Sequence, residues 1–321
     1  MADQKILKMH VFRHYPHTPE ALRGAVLAIG NFDGMHQGHR MIIEQAKACA
    51  QKLRAPLVVM TFHPHPRRFF SKATSNLAIE HVHQRLRHMR DLGVDGVYLA
   101  PFNQRLASME AEDFITTILV QHLRVRHIMV GEDFCFGRGR RGTAALLKEY
   151  AAHDGFDVTC FAPLMHHDHI ISSSLIRRYL TEGALDKVRD LLGRPYEIIG
   201  RVQHGTRIAG QQLGTPTANI ALYGLHVPRY GVYAIRYARH DSPTQWHDGV
   251  ANLGVSPTFG GMVTPRLEVH SFSDMGDAYG ALLRVRLYEH IRDEKYFSSP
   301  TALKEQIVRD VEIAKASLAQ L

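Results

Sequence analysis

The stretch from Ala25 to Leu53 constrains this chain more than any other. Ala25-Val26-Leu27-Ala28-Ile29 is a short apolar run of the kind that makes a buried strand. Gly30-Asn31-Phe32-Asp33-Gly34-Met35-His36-Gln37-Gly38-His39-Arg40 follows it. Ile42, Ala46, Cys49 and Leu53 then recur at steps of four, three and four, the apolar stripe of a helix. The stretch therefore predicts a strand, a tight glycine-bearing turn and a helix start. That geometry aims backbone N–H groups and the positive helix end at one point, which suits a phosphate. His36 and His39 are three apart and share a face of the first helical turn. Two imidazoles there can offer hydrogen bonds or positive charge to a phosphoryl group. They can also be two solvated histidines in a chain that has 22 of them. A zinc pair is the third reading, but no third ligand stands at a recognisable spacing. Phosphate contact ranks first, because both histidines interleave with glycines directly after a buried strand.

The pattern around this stretch repeats. Residues 9–13 read as an opening strand, and Leu57 to Phe62, Val94 to Leu99, His127 to Val130 and Asp157 to Phe161 read as further strands. Helical sequence over 80–91, 110–122 and 143–153 separates them. Strands alternating with helices argue for an α/β fold with a parallel, doubly wound sheet. Ligands bind beyond the carboxyl ends of such strands. The loops at 30–40, 63–68 and 131–142 all fall at such ends. Within the second, two prolines are expected to keep His63-Pro64-His65-Pro66-Arg67-Arg68 out of helix.

The character changes after Leu192, where Gly193-Arg194-Pro195 is a breaker cluster. Short strands follow over 196–202, 230–237, 246–252, 266–272 and 282–288, as in a small sandwich or barrel. One amphipathic helix over 301–318 ends the pattern, with Leu303, Ile307, Asp310, Val311 and Ala314 on its inner face. A length of 321 residues accommodates two domains, and 45% hydrophobic content is enough for two cores.

Several function classes recede on composition. No apolar run of about 18 residues exists, so no membrane span is expected. Met1 to Lys5 open no apolar signal core. Cys49, Cys135 and Cys160 are widely spaced and form no even framework, which fits a reducing cytoplasm. The net charge of +8 invites a nucleic-acid partner. The charge is scattered, however, and the densest spot, Arg138-Gly139-Arg140-Arg141, has three arginines. Positive charge serves equally to attract a nucleoside triphosphate. The sequence leaves the oligomeric state open.

Other stretches carry weaker signals of their own. In Gly131-Glu132-Asp133-Phe134-Cys135-Phe136-Gly137, Asp133 could accept from a nucleotide's hydroxyls or amine, and an aromatic could flank a ring. The same residues would serve as an ordinary turn. The hydroxyls of Ser172 and Ser173 are ordinary helix caps; with Arg177 they could also grip phosphates. His166-His167-Asp168-His169 reads as a polar loop rather than a metal cluster. In Gly214-Thr215-Pro216-Thr217-Ala218-Asn219, an extended backbone would put Thr217 and Asn219 on one side. A hydroxyl and an amide oxygen side by side suit a hard cation such as Mg2+ carrying ATP phosphates, though a polar turn explains them too. In Arg266-Leu267-Glu268-Val269-His270, Glu268 and His270 share one strand face.

Taken together, these motifs resemble a known family. Asn31-Phe32-Asp33-Gly34-Met35-His36-Gln37-Gly38-His39 is similar to the HxGH signature of the nucleotidylyltransferase superfamily. Its Phe32-Asp33-Gly34 resembles the flavin branch, the bacterial bifunctional riboflavin kinases/FMN adenylyltransferases. Thr61-Phe62-His63-Pro64-His65-Pro66, the 131–137 turn and Ile171-Ser172-Ser173-Ser174-Leu175-Ile176-Arg177 resemble further elements of the adenylyltransferase half. Gly200 to Gly205, the Pro216-Thr217-Ala218-Asn219 run, Pro228 to Ala234, Gly249 to Gly254 and Leu267 to His270 resemble the kinase half. The resemblance covers about residues 25 to 318, in family order.

The resemblance implies an HxGH-type adenylyltransferase domain over 1–184 and a riboflavin-kinase-like β-barrel with a terminal helix over 185–321. It implies phosphorylation of riboflavin by ATP to FMN, then adenylylation of FMN to FAD with release of pyrophosphate. His36 and His39 would act in the second reaction and Glu268 would be the general base of the first. Gly30, Asn31, Phe32, Asp33, Gly34, Gly38, Asp133, Ser172, Ser173 and Arg177 would bind the adenylyltransferase ATP. His63, Pro64, His65, Pro66 and Phe134 would meet its flavin. Gly205, Gly214, Thr217 and Asn219 would bind the kinase ATP, with Thr217 and Asn219 on Mg2+. The expected partners are riboflavin, FMN and ATP, with no membrane; nucleic acid stays a minor alternative. The competing reading is a non-catalytic or single-activity flavin- or nucleotide-binding protein on the same scaffold. It rests on Ile170 and Ser256, which stand where the family usually carries basic residues.

Overall fold

A computed structural model describes residues 9–70, 78–203, 217–257, 263–273, 275–276 and 278–321. The chain divides into two compact units, 1–75 with 82–171 and 76–81 with 172–321.

The first unit is built on a six-stranded sheet in the order β1-β4-β3-β2-β5-β8. These strands are β1 (His10–Phe12), β2 (Val26–Ile29), β3 (Leu57–His63), β4 (Gly96–Pro101), β5 (His127–Gly131) and β8 (Asp157–Phe161). Every pairing among them is parallel. β2 is central and wholly buried, which explains its unbroken apolar run. Its alternate residues face opposite layers. Val26 and Ala28 pack with Ile43, Ala46 and Ala50 of α1 (Gln37–Leu53) and Met89 of α3 (Val82–Asp91). Leu27 and Ile29 pack with Phe114, Ile115, Ile118 and Leu119 on the other face. The sheet is thus covered on both sides, as the alternation of elements predicts.

One local expectation fails. Residues 66–70 form a short helix, α2 (Pro66–Phe70), where the prolines were expected to forbid one. Pro66 occupies the first helical position, which needs no N–H, so it starts the helix instead of breaking it. The expected helix over 110–122 is α-helical only at α5 (Ala111–Asp113), after a single turn α4 (Gln104–Ala107), and widens to a π-helix over Phe114–His122. The Thr116 hydroxyl donates to the Glu112 carbonyl at 3.0 Å, a side-chain bond that competes for the helical ladder. Two small hairpins, β6 (Cys135–Phe136) with β7 (Gly142–Thr143) and β9 (Met165–His166) with β10 (His169–Ile170), flank α6 (Ala144–Asp154) and β8.

The second unit opens with α7 (Ser173–Glu182) and α8 (Leu185–Leu192). Six antiparallel strands then close a barrel in the order β11-β12-β15-β14-β13-β16. They are β11 (Tyr196–Gln203), β12 (Thr217–Ala221), β13 (Gly231–Arg239), β14 (His247–Pro257), β15 (Val263–Ser271) and β16 (Leu282–Arg292). Ala218, Ile220, Ala251, Leu253, Leu267, Val269, Val285 and Leu287 alternate along these strands and fill the interior. Between them the outward residues alternate too. Val232, Ala234 and Val250 form an outer patch covered by Ala314 and Leu318 of α9 (Pro300–Leu318). Asp310 of α9 is buried and takes both arms of Arg292, at 2.6 to 3.0 Å, which ties the helix to β16.

Candidate active sites

In the first unit the turn between β2 and α1 carries the expected site. The Gly30 N–H donates to the Met60 carbonyl, pinning the turn to β3. Phe32 and Met35 adopt left-handed φ of 49° and 38°, and both side chains are about fully buried. Bulky residues rarely hold that conformation, so their burial anchors a strained turn. Gly34, at φ 82°, supplies the remaining left-handed step. Asp33 is buried beside them.

His36 is the N-cap of α1, and its Nδ1 accepts the His39 N–H at 3.3 Å. Neutral His36 therefore carries its proton on Nε2. The two imidazoles stack, with centroids 3.5 Å apart and planes 18° apart. A Cβ at Gly38 would stand 3.3 Å from His36 Nδ1, so glycine lets the ring lie across the first turn. The expected pair is thus brought together at the N-terminus of a 17-residue helix.

A residue with no motif signal holds this turn. Arg85 of α3 is buried and donates to the Asn31 carbonyl at 2.5 Å and to Thr61 Oγ1 at 3.3 Å. Thr61 donates to the same carbonyl at 2.9 Å. Arg85 lies on the helix face that buries Met89 four residues on, so its burial could have been read from periodicity.

The 63–66 loop leaves the carboxyl end of β3. His65 Nδ1 accepts the Arg67 N–H at 3.1 Å, capping α2. Partial desolvation, followed by the Arg85, Arg13 and Arg68 charges, lowers the His63 pKa, so its imidazole is neutral near pH 7. Beside this loop Phe62, Phe69, Phe70 and Phe102 form an aromatic cluster with centroids 5.2 to 5.9 Å apart. Phe70 is 67% exposed, and no sequence motif marks the cluster. At the end of β5, Asp133 is exposed and its carboxylate folds back over Gly131. Phe134 stacks on buried Phe136 at 5.4 Å and is itself half-buried.

Ser172, Ser173 and Arg177 fold with the second unit. Ser172 Oγ accepts the Leu175 N–H at 3.2 Å, the ordinary cap of α7. Arg177 is buried, and its carbonyl lies 3.0 Å from His226 Nε2.

On the barrel, register does what spacing could only suggest. Glu268 on β15 stands directly opposite Asn219 on β12 and Asn252 on β14. Thr217 is likewise opposite His270. Such opposed side chains have Cβ atoms about 5 Å apart. The row faces outward, since its neighbours Ala218, Leu267, Val269, Ala251 and Leu253 fill the interior. Asn219 is buried, and its Oδ1 has no hydrogen-bond partner among the described residues. Burial, then the nearby Glu294 carboxylate, raises the Glu268 pKa against the opposing Arg266 charge. A Cβ at Gly254 would collide with Glu294 Oε1, so that glycine makes room for the second carboxylate. Asn252, Arg266 and Glu294 carry no role in the sequence reading; alternation marks the face of Asn252, but only register shows its partner. Gly205 and Gly214 lie outside the described residues.

This geometry meets known proteins at both ends of the chain. The sequence model of the FAD synthetase family matches residues 18–175, and that of riboflavin kinase matches residues 192–318. The chain belongs to the bifunctional riboflavin kinase/FMN adenylyltransferase family. It is an enzyme of flavin biosynthesis with both activities, as those two matched halves require. It is 38% identical to the Escherichia coli K12 bifunctional riboflavin kinase/FMN adenylyltransferase, over 89% of this chain and 90% of that one. The Pseudomonas fluorescens protein of the same name is 40% identical, over 92% and 94%. A crystal structure described as a macrolide-efflux protein from Streptococcus pneumoniae superposes with a TM-score of 0.83 at 30% identity, covering 96% of this chain and 98% of that one. Among the described residues no helix is long and apolar enough to cross a membrane.

Proposed function

We propose that residues 1–184 carry the adenylyltransferase reaction and residues 185–321 the kinase reaction. The observation that carries the reading is the outward row Asn219–Glu268–Asn252 on the barrel, with its proton-favouring carboxylate. In the kinase reaction Glu268 accepts the proton of riboflavin's terminal ribityl hydroxyl as that oxygen attacks the γ-phosphorus of ATP. ADP leaves and FMN forms. A base held above its ordinary pKa is better matched to an alcohol proton. Mg2+ fits Thr217 and Asn219, since the unpartnered Asn219 oxygen is a ready ligand, and the ion would neutralise charge on the ATP phosphates. Gly205 and Gly214 complete the ATP grip.

In the adenylyltransferase reaction an FMN phosphate oxygen attacks the α-phosphorus of a second ATP and pyrophosphate leaves. No protein nucleophile is needed; positioning and charge neutralisation carry the rate. Imidazole donors of His36 and His39 and the N–H groups of α1 supply that neutralisation. Gly30 to Gly34, Gly38 and Asp133 hold ATP. His63 to Pro66 and Phe134 hold the flavin, and the Phe69/Phe70/Phe102 cluster offers further ring surface. Three unpaired cysteines support a cytoplasmic location.

The test supplies each half with its own substrate. Glu268→Ala is expected to stop FMN formation from riboflavin while FMN is still converted to FAD. Unimpaired kinase activity in that variant removes Glu268 from the mechanism.

A further inference from the structure

The outer face of the barrel carries a second polar row, at the far end of β14 from Asn252. Register sets Arg286 of β16 opposite Arg236 of β13, and Arg236 opposite Asp248 of β14. Like charges opposed across strands are destabilising. Arg236 is partly neutralised, donating to Asp248 Oδ1 at 2.9 Å and to the Leu318 carbonyl at 3.0 Å. Arg286 donates to Glu197 Oε2 at 3.2 Å. That carboxylate is shared, because Arg284 grips both of its oxygens at 3.2 and 2.9 Å. Lys315 of α9 adds another cation, 5.4 Å from the Phe272 ring centroid, and no carboxylate pairs with it among the described residues. Four cations thus meet two carboxylates, a surplus of two positive charges.

A cavity of about 730 Å³ opens on this row, within the range of about 300–1,000 Å³ usual for small-molecule sites. Its other wall is aromatic: Trp246, Phe272 and Tyr288 line it. Arg286 lies 3.8 Å from the Trp246 ring centroid, and Arg236 lies 5.6 Å from that of Tyr288. Guanidinium planes and rings therefore interleave along one wall. Phe272 is four residues beyond Glu268, about 13 Å of extended strand, so the cavity is separate from the catalytic row.

Half-exposed rings beside a twofold positive surplus recognise a flat aromatic that carries a dianion. We propose that this cavity binds a planar heteroaromatic monophosphate, with the phosphate held by Arg286 and Lys315 and the ring against Trp246 and Phe272. Two sources share that chemistry, a nucleoside monophosphate and FMN. The proposal goes beyond the two catalytic reactions and does not rest on their residues.

The chain contains a single tryptophan, and it lines the cavity, so its emission reports occupancy. The full chain is titrated separately with AMP, adenosine and inorganic phosphate. A saturable change with AMP is expected, with adenosine and phosphate each at least about tenfold weaker. Lys315→Ala, an exposed position, is expected to weaken AMP about tenfold and leave riboflavin phosphorylation unchanged; Arg286→Gln is expected to act alike. FMN is followed by equilibrium dialysis, since it quenches tryptophan at a distance. Loss of one bound FMN per chain in Lys315→Ala names FMN as the occupant; an unchanged FMN count with a weakened AMP response names the nucleoside monophosphate. No saturable AMP response together with an unchanged FMN count in Lys315→Ala overturns the proposal. Phosphate binding as tightly as AMP overturns its aromatic part.

Discussion

The two halves of this molecule build their candidate sites by opposite means. In the first unit the core of the candidate site is a loop at a strand end, whose residues from Gly30 to His39 are neighbours in sequence. In the second it is a row across three strands, and Asn219, Asn252 and Glu268 meet only because the barrel closes in register. A parallel sheet buries both strand faces and leaves only loops to bind ligands. An antiparallel barrel fills its interior and keeps an outer face for chemistry. A loop site therefore depends on turn geometry and on the residues that pin the turn, whereas a row site depends on register and on what anchors the outer face.

The largest break in this symmetry is expected from Glu268→Ala, a loss of about 10² to 10⁴ in riboflavin phosphorylation with FMN adenylylation intact. A rate assay with each flavin as sole substrate checks it. Next is Asp310→Ala, which leaves the half-buried Arg292 guanidinium without its carboxylate and loosens α9 from β16. Removing one partner of a buried pair costs about 3 to 5 kcal/mol, read as a lower denaturant midpoint for the barrel's transition. Arg85→Met tests the other half. Without its bonds to Asn31 and Thr61 the turn relaxes, and FAD formation should fall by about tenfold to a hundredfold while kinase activity holds.

The smallest effect expected is a pH shift. The proposed base acts only when ionised, so kinase activity should decline as pH falls through the raised pKa of Glu268, at a higher pH than an ordinary glutamate would give. Glu294→Gln removes a like charge and should move that acid limb to lower pH, with the adenylyltransferase profile unmoved. The stability sign is opposite to that of a salt-bridged acid. The fold favours protonated Glu268, so this stabilisation is present in acid and is lost as pH rises through the folded pKa. Glu268→Gln should therefore raise Tm more in neutral than in mildly acidic buffer, which differential scanning calorimetry reads directly.

What the sequence revealed divides along the same line. The β2 strand, the glycine turn and the α1 stripe were legible because burial on both strand faces and helical periodicity are local signals. The stacking of His36 on His39 followed from a spacing of three. Arg85 was not legible as a site residue, because its contact with Asn31 spans 54 positions and carries no spacing. The α2 helix was misread because proline was weighed as a breaker and not as a first helical residue. In the barrel, alternation placed Glu268 opposite in face to Leu267. Its cross-strand partners Asn219 and Asn252 depended on register, which hydrophobic pattern fixes only once the sheet closes. The Trp246 cavity was equally silent, since Arg236, Arg286 and Lys315 come from three separate elements.

The most direct test of two separable centres is one time course of His36→Ala with riboflavin, ATP and Mg2+, resolving the flavins by chromatography. FMN should accumulate at the rate of the unaltered enzyme and FAD should not appear. FAD formed at the unaltered rate, or FMN formation lost together with FAD, would contradict the account.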